Sequence, residues 1–223
     1  MLKISHFVSG PLGNNGYLLR DETTGAALAV DAPLDSRGEA DALAAKKITL
    51  SALVITHGHF DHTAEAAYWA TTLQTPVLLH PADREWAEEG PQNSRMFGLQ
   101  VPAFPPWTAA IDGQVINLGA HAVTLLHTPG HTQGGLCLLA HDAENGAQHL
   151  FTGDTLFAGS IGRTDLPGGD TAQLLASIRA RLLALPDETR VYPGHGDFST
   201  IGEERRENPF LAPGGGYAQI GLR

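Results

Sequence analysis

Cysteine is almost missing from this chain, and Cys137 stands alone. That excludes an intrachain disulfide and any zinc knuckle built on cysteines. Basic residues are scarce as well: 14 Lys and Arg against 24 Asp and Glu leave a formal net charge of −10. A surface this acidic repels phosphate backbones, and no local basic stripe offsets it, so nucleic acid is not an expected partner. Long apolar runs are lacking too. Stretches such as Leu136 to Ala140 are far too short to span a bilayer, and no membrane partner is expected. The opening, Met1-Leu2-Lys3-Ile4-Ser5-His6, has none of the apolar stretch of a secretory signal. The expectation is a soluble, cytoplasmic protein. A Gly-x-Ser-x-Gly elbow is absent, as is a Gly-x-Gly-x-x-Gly after a strand, so neither a serine hydrolase nor a dinucleotide-binding enzyme has support.

What is present suits a folded core: 223 residues, 42% of them hydrophobic and 17% charged. Short apolar runs at Leu2 to Val8, Gly16 to Arg20 and Ala26 to Asp31 read as strands between turn clusters. A helix is expected from Ser36, as N-cap, to Lys47, with two lysines in its last turn. Leu50 to Thr56 reads as a buried strand, Ala64 to Leu73 as a helix and Pro76 to His80 as a strand. The proline-rich segment Gly90 to Trp107 is expected to be a long surface loop, with Met96 and Phe97 as an apolar contact over the site. Strands follow at Gln114 to Leu118, His121 to Leu126, Leu136 to Ala140 and Gln148 to Phe151. Asp170 should cap a helix reaching about Leu185, with Gln173 closing a capping box, and Thr189 to Tyr192 is the last strand. No linker interrupts the chain, so one domain over residues 1–223 is expected.

The chemistry concentrates in Thr56-His57-Gly58-His59-Phe60-Asp61-His62, directly after the strand that ends at Thr56. Four metal-capable side chains, His57, His59, Asp61 and His62, fall within six positions. Solvated loop histidines are the bland alternative, and so dense a cluster argues against it. Imidazole and carboxylate suit zinc and also iron or manganese. Further candidate ligands are His131 in Pro129-Gly130-His131, Asp154 in Gly153-Asp154 and His195 in Pro193-Gly194-His195-Gly196. Each follows a strand-like run and lies beside glycine. Singly these signals are weak, but together the seven groups suffice for two divalent ions with open positions for water and substrate.

His57-x-His59-x-Asp61-His62 with His131, Asp154 and His195 resembles the binuclear site of the metallo-β-lactamase superfamily. The resemblance extends from Leu2 to about Leu211. It implies an α/β fold, the αββα sandwich of two mixed β-sheets flanked by helices. It also implies that His57, His59 and His131 hold one metal, that Asp61, His62 and His195 hold the other, and that Asp154 bridges them. True β-lactamases usually carry cysteine at the place of Asp154. Thr152-Gly153-Asp154-Thr155-Leu156-Phe157 and Gly162-Arg163-Thr164-Asp165 are similar to the glyoxalase II branch, the hydroxyacylglutathione hydrolases. Asn93 to Leu99, Pro193 to Gly196 and Glu207 to Leu211 look closer to its short bacterial members, which lack the C-terminal glutathione-binding helical domain. The activity implied is hydrolysis of a glutathione-linked thioester such as S-D-lactoylglutathione by a metal-bridging hydroxide. Asp61 would orient that hydroxide, and two zinc ions, or iron or manganese, would serve as cofactors. Arg163 would contact the glutathione moiety; the alternative is that it pairs with Asp165 and pins its loop. A one-iron persulfide dioxygenase, a lactonase and a non-enzymatic metal-stabilised binding module are competing readings on the same framework.

Other histidines carry less. His127, four residues before His131, reads as structural, and His6, His80, His121, His141 and His149 as surface or core residues. Cys137, embedded among leucines, reads as an inert buried thiol. Arg205 and Arg206 read as a solvated helix face.

Overall fold

The computed structural model describes residues 1–211. The first sheet is built from β1 (Leu2–Ser9), β2 (Asn14–Asp21), β3 (Ala27–Val30), β4 (Leu50–Val54), β5 (Val77–Leu79) and β6 (Thr108–Ala109), in that spatial order. Its first three strands run antiparallel and β3 to β6 run parallel. The second sheet takes β7 (Val115–Leu118), β8 (His121–His127), β9 (Leu136–His141) and β10 (Gln148–Gly153). After a small hairpin, β11 (Leu156–Phe157) and β12 (Ser160–Ile161), it adds β13 (Arg190–Pro193) and β14 (Ser199–Thr200), giving the order β14-β13-β10-β9-β8-β7. Within this sheet β10 and β13 are the parallel pair.

Alternation along β4 shows how the layers form. Ala52 and Val54 point inward, with Leu19, Leu28 and Val30, against Leu125, Leu136, Leu138 and Phe151 of the second sheet. Leu53 and Ile55 point outward, into a second cluster with Leu43, Trp69 and Leu73. A strand covered on both faces needs no polar alternation, which is why Ala52 to Ile55 is continuously apolar, Ser51 before it being exposed. Leu43 belongs to α1 (Arg37–Ala45); α2 (Phe60–Thr63) precedes α3 (Ala66–Leu73), which carries Trp69 and Leu73. On the far side, Leu174, Ile178 and Leu182 pack with Ile201 against Leu150 and Val191. Leu174 lies on α6 (Thr171–Ser177), Ile178 and Leu182 on the π-helical stretch that continues it, and Ile201 on α7 (Ile201–Glu207). The architecture is the expected αββα sandwich.

Several local expectations need correction. Gly90 to Trp107 is not loop throughout: after α4 (Arg84–Glu88) the chain forms α5 (Gly90–Arg95), with Pro91 in the first turn, where no amide donor is needed. Six residues give too short a periodicity to reveal a helix. Met96 and Phe97 are 83% and 64% exposed, and the Phe97 ring lies 5.3 Å from Phe60. The helix expected at Ala64 to Leu73 starts at Ala66: the Glu65 amide donates to the Ala32 carbonyl at 2.9 Å, and its carboxylate accepts from Arg37 at 2.7 Å. Ser36 sits at the N-cap of α1, but its hydroxyl accepts from the Trp69 indole instead of capping, and the two lysines fall just past the helix end. Asp170 caps α6 (Thr171–Ser177) as expected, through the Gln173 amide. The Gln173 side chain closes no box, since it accepts from Gln133 at 2.9 Å. The helix continues as a π-helical stretch, Ile178–Leu182, and α7 (Ile201–Glu207) follows β14. Arg205 is more than a solvated residue: it donates to the carbonyls of Leu183 and Leu185 and pairs with Asp187. Residues 212–223 of the expected single domain lie outside the described residues.

Candidate metal centre

All seven candidate ligands gather at one end of the sandwich, on the loops that leave β4, β8, β10 and β13. Gly58 is required between the first two. A Cβ there would lie 2.6 Å from the Asp83 carbonyl oxygen and 2.7 Å from the Trp86 Cβ. Next comes α2, which presents Asp61 and His62 from one turn while His59 occupies the position before its start. Gly194 does the same service beside His195, since a side chain there would run into Asp154 and His62.

The ligand atoms form two triads. His57 Nε2, His59 Nδ1 and His131 Nε2 lie 3.0–3.2 Å from one another. On the other side, His62 Nε2 and His195 Nε2 are 3.3 Å apart, and Asp61 Oδ2 is 3.6 Å from the first and 3.3 Å from the second. Asp154 stands between them: Oδ1 is 3.3 Å from His62, and Oδ2 is 3.8 Å from His131 and 3.7 Å from His195. Asp154 Oδ1 is buried without a hydrogen-bond partner. Three ring nitrogens pointing at one centre cannot all be satisfied by shared protons. Their separations suit a tetrahedral ion with bonds of about 2.0–2.1 Å, so the donor set fits divalent metal.

Outward-facing nitrogens are tied down, which orients the rings. His62 Nδ1 donates to Asp31 Oδ2 at 2.8 Å, His131 Nδ1 to the Arg163 carbonyl at 2.7 Å, and His195 Nδ1 to the Leu12 carbonyl at 3.1 Å. The Thr56 hydroxyl gives its proton to Asp31, so its oxygen accepts from His57 Nδ1 at 3.1 Å. Burial and the neighbouring imidazoles hold the His57 pKa well below its usual value, and burial foremost takes His59 down to about 3. Both rings are therefore neutral donors. Burial alone would lower His62 and raise Asp61. Asp154, Asp61 and Asp31 instead push His62 up, while His62, His195 and Asn14 hold Asp61 below the usual carboxylate range. A metal held at His62 would have to displace the proton there.

Three partners escaped the sequence reading. Asn14 donates from Nδ2 to Asp61 Oδ2 at 2.9 Å. Asp31 accepts from the Thr56 amide and hydroxyl as well as from His62. Asp83 accepts from Gly58, Thr132 and Gly134. The available hint for Asp31 was a carboxylate closing an apolar run. Arg163 reaches the site through its carbonyl, while its exposed guanidinium makes a bidentate pair with Asp165, both contacts at 2.8 Å. Cys137 is fully buried against Thr128 and Thr152, and burial pushes its thiol up to about 11. His127 stays outside: its ring stacks on His80 with centroids 4.1 Å apart and donates to the Gln133 carbonyl. His127→Ala should therefore leave metal stoichiometry unchanged. Loss of one equivalent by elemental analysis would make His127 a ligand.

A two-sheet sandwich with seven His and Asp donors at one end defines a metal-dependent hydrolase. The chain belongs to the metallo-β-lactamase superfamily, which it matches over residues 9–195. It is 36% identical over 205 residues to the hydroxyacylglutathione hydrolase GloC of Haemophilus influenzae, covering 88% of this chain and 92% of that one. The crystal structure of TTHA1623 in a di-iron-bound form superposes with a TM-score of 0.81 at 37% identity, over 93% of this chain and all of the other. That of the BLEG-1 B3 metallo-β-lactamase gives 0.82 at 34% identity, over 95% of this chain and all of the other. Among the described residues, no helix is long and apolar enough to cross a membrane.

Proposed function

We propose that this protein is a cytoplasmic hydrolase of small-molecule thioesters of the hydroxyacylglutathione type, with two zinc ions as cofactors. His57, His59 and His131 would hold one ion, Asp61, His62 and His195 the other, and Asp154 both. The observation that carries the reading is Asp154, whose one carboxylate faces both triads: Oδ2 lies between His131 and His195, and Oδ1 beside His62. The second triad is complete, which favours two ions over the single iron of a dioxygenase. When bound, a pair of divalent cations supplies water of lowered pKa and polarises the scissile carbonyl. Asp61, kept ionised by its neighbours, is the acceptor that orients the attacking water. Departure of a thiolate needs little protonation, so the chain need not supply a general acid. The GloC relative supports the thioester class.

Beside the site, a groove of about 360 Å³ runs between Trp86, Asn93 and Gln133, with Glu85 and Glu89 on one wall. Its size is in the range of small-molecule sites. The two carboxylates would face the ammonium end of a glutathione moiety, and Arg163 a carboxylate. The test is paired assays on protein of known metal content. About two zinc ions per chain with turnover of S-D-lactoylglutathione are expected; one iron per chain with oxygen uptake on glutathione persulfide would overturn the proposal. Arg163→Ala should raise KM for anionic glutathione thioesters roughly 10-fold. A charged hydrogen bond contributes about 1.5–3 kcal/mol, and the solvent-screened Asp165 pair competes with it only weakly. A small uncharged thioester should react as before, whereas equal losses on both would show that Arg163 only pins its loop.

A further inference from the structure

Of the five histidines at the centre, four end their outward nitrogen on an oxygen: the Thr56 hydroxyl, Asp31, and the carbonyls of Arg163 and Leu12. His59 breaks the pattern. It turns Nδ1 toward His57 and His131, so Nε2 faces away, and Nε2 is buried with no hydrogen-bond partner. A buried imidazole N–H without an acceptor is costly. What stands against this ring is Trp86, with centroids 4.7 Å apart and planes at 88°. Perpendicular aromatic rings at this distance are the arrangement in which an edge N–H meets a π face.

We propose that Trp86 is the missing partner: its indole face accepts the His59 Nε2–H and so fixes the tautomer that leaves Nδ1 free for metal. The contact is held from both sides. Gly58 packs so closely on the Trp86 Cβ that no side chain fits between them. Asp83, three residues earlier, accepts from the Gly58 amide at 2.8 Å. The Asp83 to Trp86 turn is therefore clamped to the first metal-bearing loop. Trp86 also lines the groove described above, so one ring separates His59 from the space assigned to substrate. Trp86 touches no reacting atom and is a positioning residue. The inference rests on His59 being a metal ligand.

Two measurements on zinc-loaded, ¹⁵N-labelled protein test it. In long-range ¹H–¹⁵N spectra, His59 should carry its proton on Nε2, and that proton should be shifted upfield by the indole ring current. Competition with a chelator should find that Trp86→Phe, which keeps a π face, binds zinc within about threefold of wild type. Trp86→Leu, which fills space without one, should bind one of the two equivalents about 10-fold more weakly, at the lower end of what losing such a partner costs. Equal affinities for the Phe and Leu variants would overturn the proposal, as would a His59 proton that shows no ring-current shift in wild type. That second result decides the matter even if a variant fails to fold. A wild-type protein that bound no zinc would instead remove the metal assignment beneath it.

Discussion

Asp154→Ala should bind both metals poorly and lose thioester turnover by roughly 10³-fold. One carboxylate faces both triads, with Oδ1 3.3 Å from His62 Nε2 and Oδ2 3.7 Å from His195 Nε2 and 3.8 Å from His131 Nε2. Removing it takes an anion from each proposed ion at once. It also removes the largest of the carboxylate influences that raise the His62 pKa. The space left behind would be lined by imidazoles, with Asp61 the one carboxylate left among the seven candidate ligands to balance two cations. Lewis-acid stabilisation by such ions amounts to several kcal/mol, and each 1.36 kcal/mol is tenfold in rate, so losing about 4 kcal/mol gives the figure above. Elemental analysis and a thioester assay on the same preparation check it. Two tightly retained ions with near-normal turnover would show that Asp154 bridges nothing. Loss of one ion alone would place it in a single triad.

The candidate ligands could be read from the chain because they are local. Four lie within six residues, and His131, Asp154 and His195 each follow an apolar run and sit beside glycine. The strands were legible for a similar reason, since β4, β8, β9 and β10 contain apolar runs bounded by turns, whereas the sandwich was implied by the resemblance to the superfamily. What stayed hidden depends on contacts distant in sequence. Asp31 meets His62 across 31 positions, Asn14 meets Asp61 across 47, and Gly134 meets Asp83 across 51. A buried aspartate looks the same in sequence as a solvated one. The tertiary setting also decided the fate of capping residues: Ser36 was taken by Trp69, and Gln173 by Gln133. Helix α5, beginning Gly-Pro and six residues long, carries no periodic signal at all.

Asp83→Ala is expected to be among the most destabilising single changes away from the ligands. Asp83 is fully buried, and burial raises its carboxyl pKa against the pull of its hydrogen bonds. Its carboxylate accepts from the Gly58 amide at 2.8 Å, the Thr132 hydroxyl at 2.7 Å and the Gly134 amide at 2.5 Å. Gly58 lies between His57 and His59, while Thr132 and Gly134 follow His131, so one side chain ties together the loops carrying the whole first triad. Alanine would leave three buried donors without an acceptor, each costing about 1–3 kcal/mol before relaxation. With water entering part of the space, the net loss should be about 3–5 kcal/mol, read as a lower urea midpoint at unchanged slope. Asp83→Asn should also destabilise, because an amide cannot accept from all three donors without turning its own NH₂ toward one of them. The effect should extend to metal. Zinc affinity of one equivalent should fall about 10–100-fold, as expected when a residue supporting ligand geometry is lost, while the Asp61, His62 and His195 triad keeps its ion. A variant of wild-type stability, or one losing both ions equally, would show that the two loops hold their places without Asp83.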